Sequence, residues 1–228
     1  MPKLISLSIR FLFIYLLGSQ LCYAGGITVG RTRVIYEADK KEASLPLTNN
    51  AESIPFLIQS WIDTGDGKSR GPFVVTPPLF RLNAKQENIL RISYMGDELP
   101  SDKESIFYIN IRAIPSSPKN NTNELKLVIK SRIKLFYRPL NLPGRSTEAY
   151  KALTFSQDHN ELHITNPTPY YVVFSSLKLG NTSLKDTDMI APGTQMTVKL
   201  PPNISGSIIR WGAINDFGGS STFEERAL

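Results

Sequence analysis

The feature that most constrains this chain is an alternating segment from Asn123 to Pro139, NELKLVIKSRIKLFYRP. A period of two is typical of a β-strand whose two faces meet different surroundings. Two interpretations stay open: a closing strand of a sandwich with its basic residues in water, or a strand offered in part to another protein. The apolar residues of the segment stand at odd-numbered positions: Leu125, Leu127, Ile129, Ile133 and Leu135. The basic residues stand at even-numbered positions: Lys126, Lys130, Arg132 and Lys134.

Residues 1–24 have the pattern of an export signal. Lys3 and Arg10 provide positive charge, an apolar run follows from Phe11 to Leu17, and small residues stand near Ala24. The apolar run is shorter than the roughly 20 residues that span a bilayer. No later segment approaches that length, so we expect a soluble exported protein without membrane insertion.

Charge and cysteine content narrow the class of partner. The only cysteine, Cys22, leaves with the signal, so apolar burial alone must stabilise the mature chain. The net charge of +6 falls by two when the signal is removed. This mild excess suits an acidic or carboxylate-bearing partner better than nucleic acid, because no basic tract with interleaved aromatics is present.

Short β-branched and aromatic runs between turn residues predict an all-β chain. The segment RPLNLPGRS, 138–146, is the best domain boundary and gives a domain at 25–140 and another at 141–228. The runs LPLTNN with PFLIQSW and LHITNPT with PYYVVF indicate two domains of one type. We predict strands at 32–36, 43–48, 55–63, 73–82, 88–93, 105–114 and 124–137, then at 152–155, 161–166, 170–179, 195–200, 207–214 and 221–225.

Signals for catalysis or metal binding are poor. Gly65–Ser69 resembles the end of a phosphate-binding loop, but Ile62 stands where the first glycine is required. His159 and His163 lie too far apart on a strand to share a metal ion. No nucleophile motif accompanies them, so we expect no enzyme, no cofactor and no metal.

Two cations sit among apolar strand residues, Arg33 in TRVIY and Lys134 in RIKL. Brought together at a cleft, they would bind a carboxylate, with about 1.5 to 3 kcal/mol for each charge-assisted hydrogen bond. Composition alone leaves the alternative of two ordinary solvent-facing charges.

Several motifs together resemble one family. They are TRVIYEADKKEASLPLTNN, PFLIQSWID, PFVVTPPLFRL with ENILRI, SDKESIFYINIRAIP, RIKLFYRP, TNPTPYYVVF and AINDFGG, in this order. The chain closely resembles the periplasmic pilus chaperones of the chaperone–usher pathway, of the PapD and FimC type. The resemblance implies two immunoglobulin-like β-sandwich domains in a boomerang arrangement, located in the periplasm.

The resemblance also implies a function. Such chaperones bind and cap pilin subunits by lending a long strand, here Asn123 to Tyr137, and deliver them to an outer-membrane usher. The lent side chains would be Leu125, Leu127 and Ile129. The alternative is a structural immunoglobulin-like component of a surface fibre or adhesin. An exposed apolar edge also leaves open a self-capping oligomer of the free chain.

The resemblance assigns roles to charged residues too. Arg33 and Lys134 would hold the carboxylate at the end of the pilin chain. Glu87, Arg138 and Asp216 would form an ionic contact between the domains.

Two further expectations concern the segment around this strand. Lys134 has the opposite parity to Leu125, Leu127 and Ile129, so we expect a bulge or strong twist near Ser131. The short loop after Pro115 is similar to that of relatives that assemble rod-like pili.

Overall fold

The computed structural model describes residues 25–96, 98–116, 125, 127–185, 187–202, 204 and 206–228. The signal segment and most of the loop after Pro115 lie outside these residues. Apart from a 3₁₀ helix at Ser146–Ala152, the regular elements among these described residues are strands. They are β1 (Ile27–Val29), β2 (Arg33–Glu37), β3 (Ala43–Asn49), β4 (Phe56–Asp63), β5 (Phe73–Thr76), β6 (Leu79–Leu82), β7 (Glu87–Tyr94), β8 (Ser105–Pro115), β9 (Ile129–Arg138), β10 (Thr154–Asp158), β11 (Glu161–Thr165), β12 (Val172–Leu179), β13 (Thr182–Ser183), β14 (Met189–Ile190), β15 (Gln195–Lys199), β16 (Ile208–Ala213) and β17 (Glu224–Ala227).

The first domain is a sandwich of two sheets. One sheet has the order β1-β3-β7-β5 and the other the order β2-β9-β8-β4-β6. Alternate residues of each strand point inward, as the period of two predicts, and they form one buried cluster that includes Leu45, Ile58, Leu90, Ile109 and Leu135. The predicted all-β fold is confirmed.

The predicted strand 73–82 is wrong as a single element. It consists of β5, which pairs with β7 in one sheet, and β6, which pairs with β4 in the other. Pro77 and Pro78 separate the two strands, and the Thr76–Pro77 peptide bond is cis. Because proline lacks a backbone N–H, the ladder stops here and the chain crosses to the other sheet.

The second domain has its own core around Trp211, which is buried and donates from Nε1 to the carbonyl oxygen of Tyr150 at 2.8 Å. Its sheets have the orders β10-β11-β15 and β13-β12-β16-β17, with β14 beside β12. The two domains share one feature: a fully buried asparagine, Asn49 as the last residue of β3 or Asn166 directly after β11, donates to a carbonyl group of the loop that follows. This agrees with the prediction of two domains of one type.

The domains meet along β2, β9 and the start of β8. The backbone N–H of Glu104 donates to the carbonyl oxygen of Pro169 at 2.9 Å. Phe136 packs against Tyr171 with ring centroids 5.6 Å apart. The face of β9 that carries Phe136 therefore turns toward the second domain.

Candidate functional site: the open edge of strand β9

Strand β9 has one edge that is covered only in part. On one side β8 pairs with it without interruption, from Ser105 opposite Tyr137 to Ala113 opposite Ile129. On the other side β2 pairs with it in parallel, but only from Lys134 onward. Among the strands that the structure describes, none covers this side from Ile129 to Ile133. The open edge presents unpaired backbone donors and acceptors, to which a further strand can be added in line with β2.

The apolar residues at the start of this segment are exposed. The exposed fractions are 89% for Leu125, 70% for Leu127 and 66% for Ile129, whereas Leu135 on the same strand is fully buried. The three exposed side chains border an open groove of about 700 Å³ that Ile27 and other apolar residues also line. A contiguous exposed apolar surface of this kind marks a binding site for another molecule.

Strand β9 begins at Ile129; Glu124 and Lys126 of the predicted strand 124–137 lie outside the described residues, and Leu125, Leu127 and Val128 precede the strand. Its partner β8 ends at Pro115, opposite Phe56 of β4, and Ala113 is the last residue that faces β9. Leu125 and Leu127 therefore extend past the paired ladder, which explains their exposure.

Of the bulge or strong twist expected near Ser131, the bulge is wrong, because the β8–β9 register is continuous through that residue. The expectation assumed that one partner must meet every contact residue on a single face. An added strand has alternating side chains of its own and meets both faces of the sheet. It can thus reach the apolar groove on one face and Lys134 on the other without any irregularity in β9.

Arg33 begins β2 directly opposite Lys134, so the structure brings the two predicted cations together. The Arg33 guanidinium is buried, and its Nη1 donates to the carbonyl oxygen of Ile214 at 3.0 Å. Its Nε has no hydrogen-bond partner among the described residues. Burial lowers the pKa of Arg33, while the charges of Asp216 and Asp188 oppose this shift. A buried guanidinium stays charged, and an unused donor on it favours an anionic ligand.

Lys134 lies beside a carboxylate of the second domain. Its Nζ is 2.7 Å from Oδ1 of Asp188, the residue just before β14. Asp188 is placed by its backbone carbonyl, which accepts a hydrogen bond from the N–H of Phe174. The Asp188 side chain is 65% exposed, so water competes for this ion pair. An ammonium group of the first domain and a carboxylate of the second therefore meet at Lys134.

Arg138 joins the domains through two carboxylates. Its Nε donates to Glu104 at 2.7 Å, and Nη1 and Nη2 donate to the two oxygens of Asp216 at 2.8 and 3.0 Å. Ser146 donates to Asp216 and the N–H of Tyr171 to Glu104, so both acids are held on two sides. This bidentate geometry is the strongest that arginine offers to a carboxylate.

The two acids respond differently to their surroundings. Burial raises the pKa of Glu104 even though Arg138 opposes the shift. Burial also acts to raise the pKa of Asp216, but hydrogen bonds and charge from Arg138 outweigh it, and the pKa is lowered.

The assignment of Glu87 to this contact is wrong. Glu87 is exposed at the start of β7, opposite Thr48 in the other sheet of the first domain. Glu104 takes its place because it immediately precedes Ser105, which pairs with Tyr137, and so it lies across the ladder from Arg138. Antiparallel pairing of the runs SIFYINI and RIKLFYR would have indicated this residue from the sequence.

In the part of the chain that the structure describes, no group of three His, Cys, Asp or Glu side chains could hold a metal ion. His159 contacts Asp158, and His163 contacts Thr197. No helix among the described residues is long and apolar enough to cross a membrane.

Comparison with known families gives two adjacent matches. The model for the pili and flagellar-assembly chaperone, PapD N-terminal domain, matches residues 26–143. The model for the pili assembly chaperone PapD, C-terminal domain, matches residues 148–225.

Individual relatives agree with these matches. The chaperone protein FimC of Escherichia coli K12 is 44% identical over 196 residues, which is 85% of this chain and 80% of FimC. A chain in the structure of the Salmonella enterica SafA pilin in complex with the SafB chaperone has a TM-score of 0.81 and 33% identity, over 89% of this chain and 96% of that one. The periplasmic chaperone SfaE has a TM-score of 0.77 and 39% identity, over 89% of this chain and 100% of SfaE.

Proposed function

Since this chain belongs to the PapD-type family of pilus-assembly chaperones, we propose that it binds and caps pilin subunits by adding a subunit strand to the open edge of β9. It then delivers the subunit to an outer-membrane usher. The observation that carries this proposal is the free edge from Ile129 to Ile133, which lies between exposed apolar side chains and the Arg33–Lys134 pair. The relatives do not favour the alternative of a structural fibre component.

The apolar side chains supply the affinity. Leu125, Leu127 and Ile129 would leave water when they enter a groove of the subunit. At about 1.5 to 3 kcal/mol for each buried aliphatic side chain, the three together contribute roughly 5 to 9 kcal/mol before the cost of association. Backbone hydrogen bonds along the free edge add direction rather than selectivity.

The cations set the register. A subunit chain that ends at Lys134 and extends toward Leu125 runs parallel to β9, as β2 does. Its terminal carboxylate would then meet Lys134 and the buried Arg33, each able to contribute a charge-assisted hydrogen bond. The beginning of β2 blocks any further advance of the added strand.

We place this activity in the periplasm. The related SfaE is described as a periplasmic chaperone, and residues 1–24 have the pattern of an export signal. Capping needs only a strand and two cations, so the chain acts by binding, with no bond of the subunit made or broken.

We also keep the domain division at 25–140 and 141–228. The segment between β9 and the 3₁₀ helix supports it, since Asn141 and Gly144 both have positive φ values there. The ion pairs of Arg138 then act as the joint between the two domains.

The test is recovery of subunits from the periplasm with a tagged chain. Leu127→Asp places a charge in an apolar contact and should abolish co-purification. Ile208→Asp is the matched control, because this isoleucine is half exposed on β16 of the second domain. Mass spectrometry identifies the captured proteins. Undiminished capture by Leu127→Asp would show that the lent strand is placed wrongly, and a chain shed with the pili would support the fibre alternative.

A further inference from the structure

The face of the sheet that carries Lys134 bears more positive charge than the proposed anchoring of a carboxylate requires. Lys130 and Arg132 share this face of β9 with Lys134, and Arg112 lies on β8 directly opposite Lys130. Lys134, Arg132 and Lys130 follow the open edge of β9, and Arg112 lies one strand behind them, on the β8 side of Lys130. We call this set the cation row.

Two members of the row already have acidic partners. Arg132 is 2.9 Å from Oδ1 of Asp63, donates to the carbonyl oxygen of Gly65, and lies 4.0 Å from the ring centroid of Tyr108. Lys134 has Asp188. Their charges are balanced within the molecule.

Lys130 and Arg112 have no such partner. Both are exposed, and among the described residues no carboxylate lies within ion-pair distance of either. They contact the same ring, that of Trp61, at 5.1 and 5.4 Å, and Arg112 also reaches Gln59. Like charges directly opposite on neighbouring strands destabilise a sheet. The first domain thus carries two positive charges, on Lys130 and Arg112, that repel each other and contact the same tryptophan ring without an acidic partner among the described residues.

The position of Lys130 relates this charge to the open edge. Lys130 lies within the stretch of β9 that β2 leaves uncovered. Neighbouring strands lie about 4.7 to 4.9 Å apart, so a side chain of an added strand that points to the same face would lie beside Lys130. Every second residue of that strand faces the cation row, and the residues between face the apolar groove.

We propose that Lys130 and Arg112 select subunits whose added strand carries an aspartate or glutamate side chain facing the cation row, opposite Lys130. This inference rests on the proposed function, because it needs a strand at the open edge. It assigns a specificity role to two residues beyond the carboxylate anchor. The subunit feature involved is a side-chain carboxylate a few residues before the chain end, in addition to the terminal one.

The test uses synthetic twelve-residue peptides of alternating valine and serine with a free terminal carboxylate. Glutamate, serine or lysine is placed in turn at each of the five positions before the last, and binding to the full chain is measured by fluorescence anisotropy. We expect a profile with a period of two. Positions facing the groove should reject either charge, whereas positions facing the cation row should favour glutamate over lysine by about fivefold, less at high salt.

Substitutions test whether Lys130 and Arg112 cause the preference for glutamate over lysine. The double variant Lys130→Gln with Arg112→Gln should abolish the preference for glutamate. Arg81→Gln is the matched control, because it removes one charge from β6 at the far edge of the same sheet and should leave the preference intact. A preference that survives in the double variant would contradict the proposal.

Two further measurements separate this proposal from the proposed function. Amidation of the peptide terminus and the Leu127→Asp variant both report on strand addition itself. If both weaken binding while glutamate and lysine peptides bind the wild type equally, the cation row has no selective role and the proposed function stands. If no peptide binds the wild type and the tagged chain captures no subunit from the periplasm, strand addition and the selective role are both overturned.

Discussion

The two halves of β9 differ in sequence and in surroundings: basic residues alternate with apolar or small ones from Ile129 to Ile133, whereas three apolar residues follow one another from Leu135 to Tyr137. From Lys134 to Arg138 the strand is paired on both edges, and Leu135 is fully buried. From Ile129 to Ile133 it is paired on one edge, and Ile129 is two-thirds exposed. The register with β8 is continuous between the halves, so no backbone irregularity marks the change. A missing neighbour, rather than a special strand, creates the binding edge.

The same contrast separates the two cations of β9 that contact the second domain. Arg138 is largely buried, and two carboxylates accept three hydrogen bonds from it. Lys134 has one carboxylate partner, and that partner is mostly exposed. The first arrangement is a buried contact between the domains, whereas the exposed acid of the second is accessible to replacement by another carboxylate.

The largest effect should come from the buried contact of Arg138 with its two carboxylates. Arg138→Met leaves Glu104 and Asp216 buried without their counter-charge, which costs about 3 to 5 kcal/mol of the free energy of unfolding. Urea denaturation measures this loss. Lys151→Met, in an exposed ion pair with Glu148, is the control and should change stability by less than about 1 kcal/mol.

The pH dependence sharpens this prediction. Asp216 has a lowered pKa, so its contribution is present above its unfolded pKa of about 3.9 and is lost as the pH falls through the folded value. Glu104 has a raised pKa and contributes in the opposite sense, with stability that is lost as the pH rises through the folded value. Without Arg138 both acids are easier to protonate. The deficit of Arg138→Met should therefore shrink as the pH falls below about 4, and a deficit independent of pH would contradict this account.

The next test makes one substitution in each half of the strand. Leu135→Ala removes a fully buried side chain and should lower the free energy of unfolding by about 2 to 5 kcal/mol. Leu127→Ala should change it by less than about 0.5 kcal/mol, since the side chain is already in water, yet should weaken capture of subunits. Equal effects of the two variants on stability would show that the halves are not distinct.

Much of this contrast was predictable from residue patterns. Alternation in LKLVIKSRIKLFYR, with the family motifs, indicated the strand and its exposed apolar residues, and the isolated cations in TRVIY and RIKL indicated a pair that the structure does bring together. The crossing at Pro77 was predictable from the two prolines but was not recognised. Glu104 follows from the sequence only once the runs SIFYINI and RIKLFYR are paired in the β8–β9 register. Asp188 could not be predicted, since its contact with Lys134 depends on how the domains meet.

Lys134 gives a smaller and more selective effect than the stability variants. Lys134→Ala should leave the free energy of unfolding nearly unchanged, because its ion pair is partly exposed. It should weaken binding of the peptides with a free terminal carboxylate by about tenfold to a hundredfold, from 1.5 to 3 kcal/mol for one charge-assisted hydrogen bond. Amidated peptides should bind the wild type and the variant alike. A loss that persists with amidated peptides would contradict the anchoring role.

The smallest effect concerns the acid that occupies Lys134 in the free chain. Asp188 lies 2.7 Å from Lys134, so a subunit carboxylate must displace it or share the ammonium group. Asp188→Asn removes this competition and should strengthen binding of the free-carboxylate peptides by about twofold to fivefold, the value of an exposed ion pair. The gain should vanish for amidated peptides and in the Lys134→Ala background. Weaker binding by Asp188→Asn would instead mean that Asp188 positions Lys134. The Lys134–Asp188 ion pair would then resemble the buried contact of Arg138 in having a structural role.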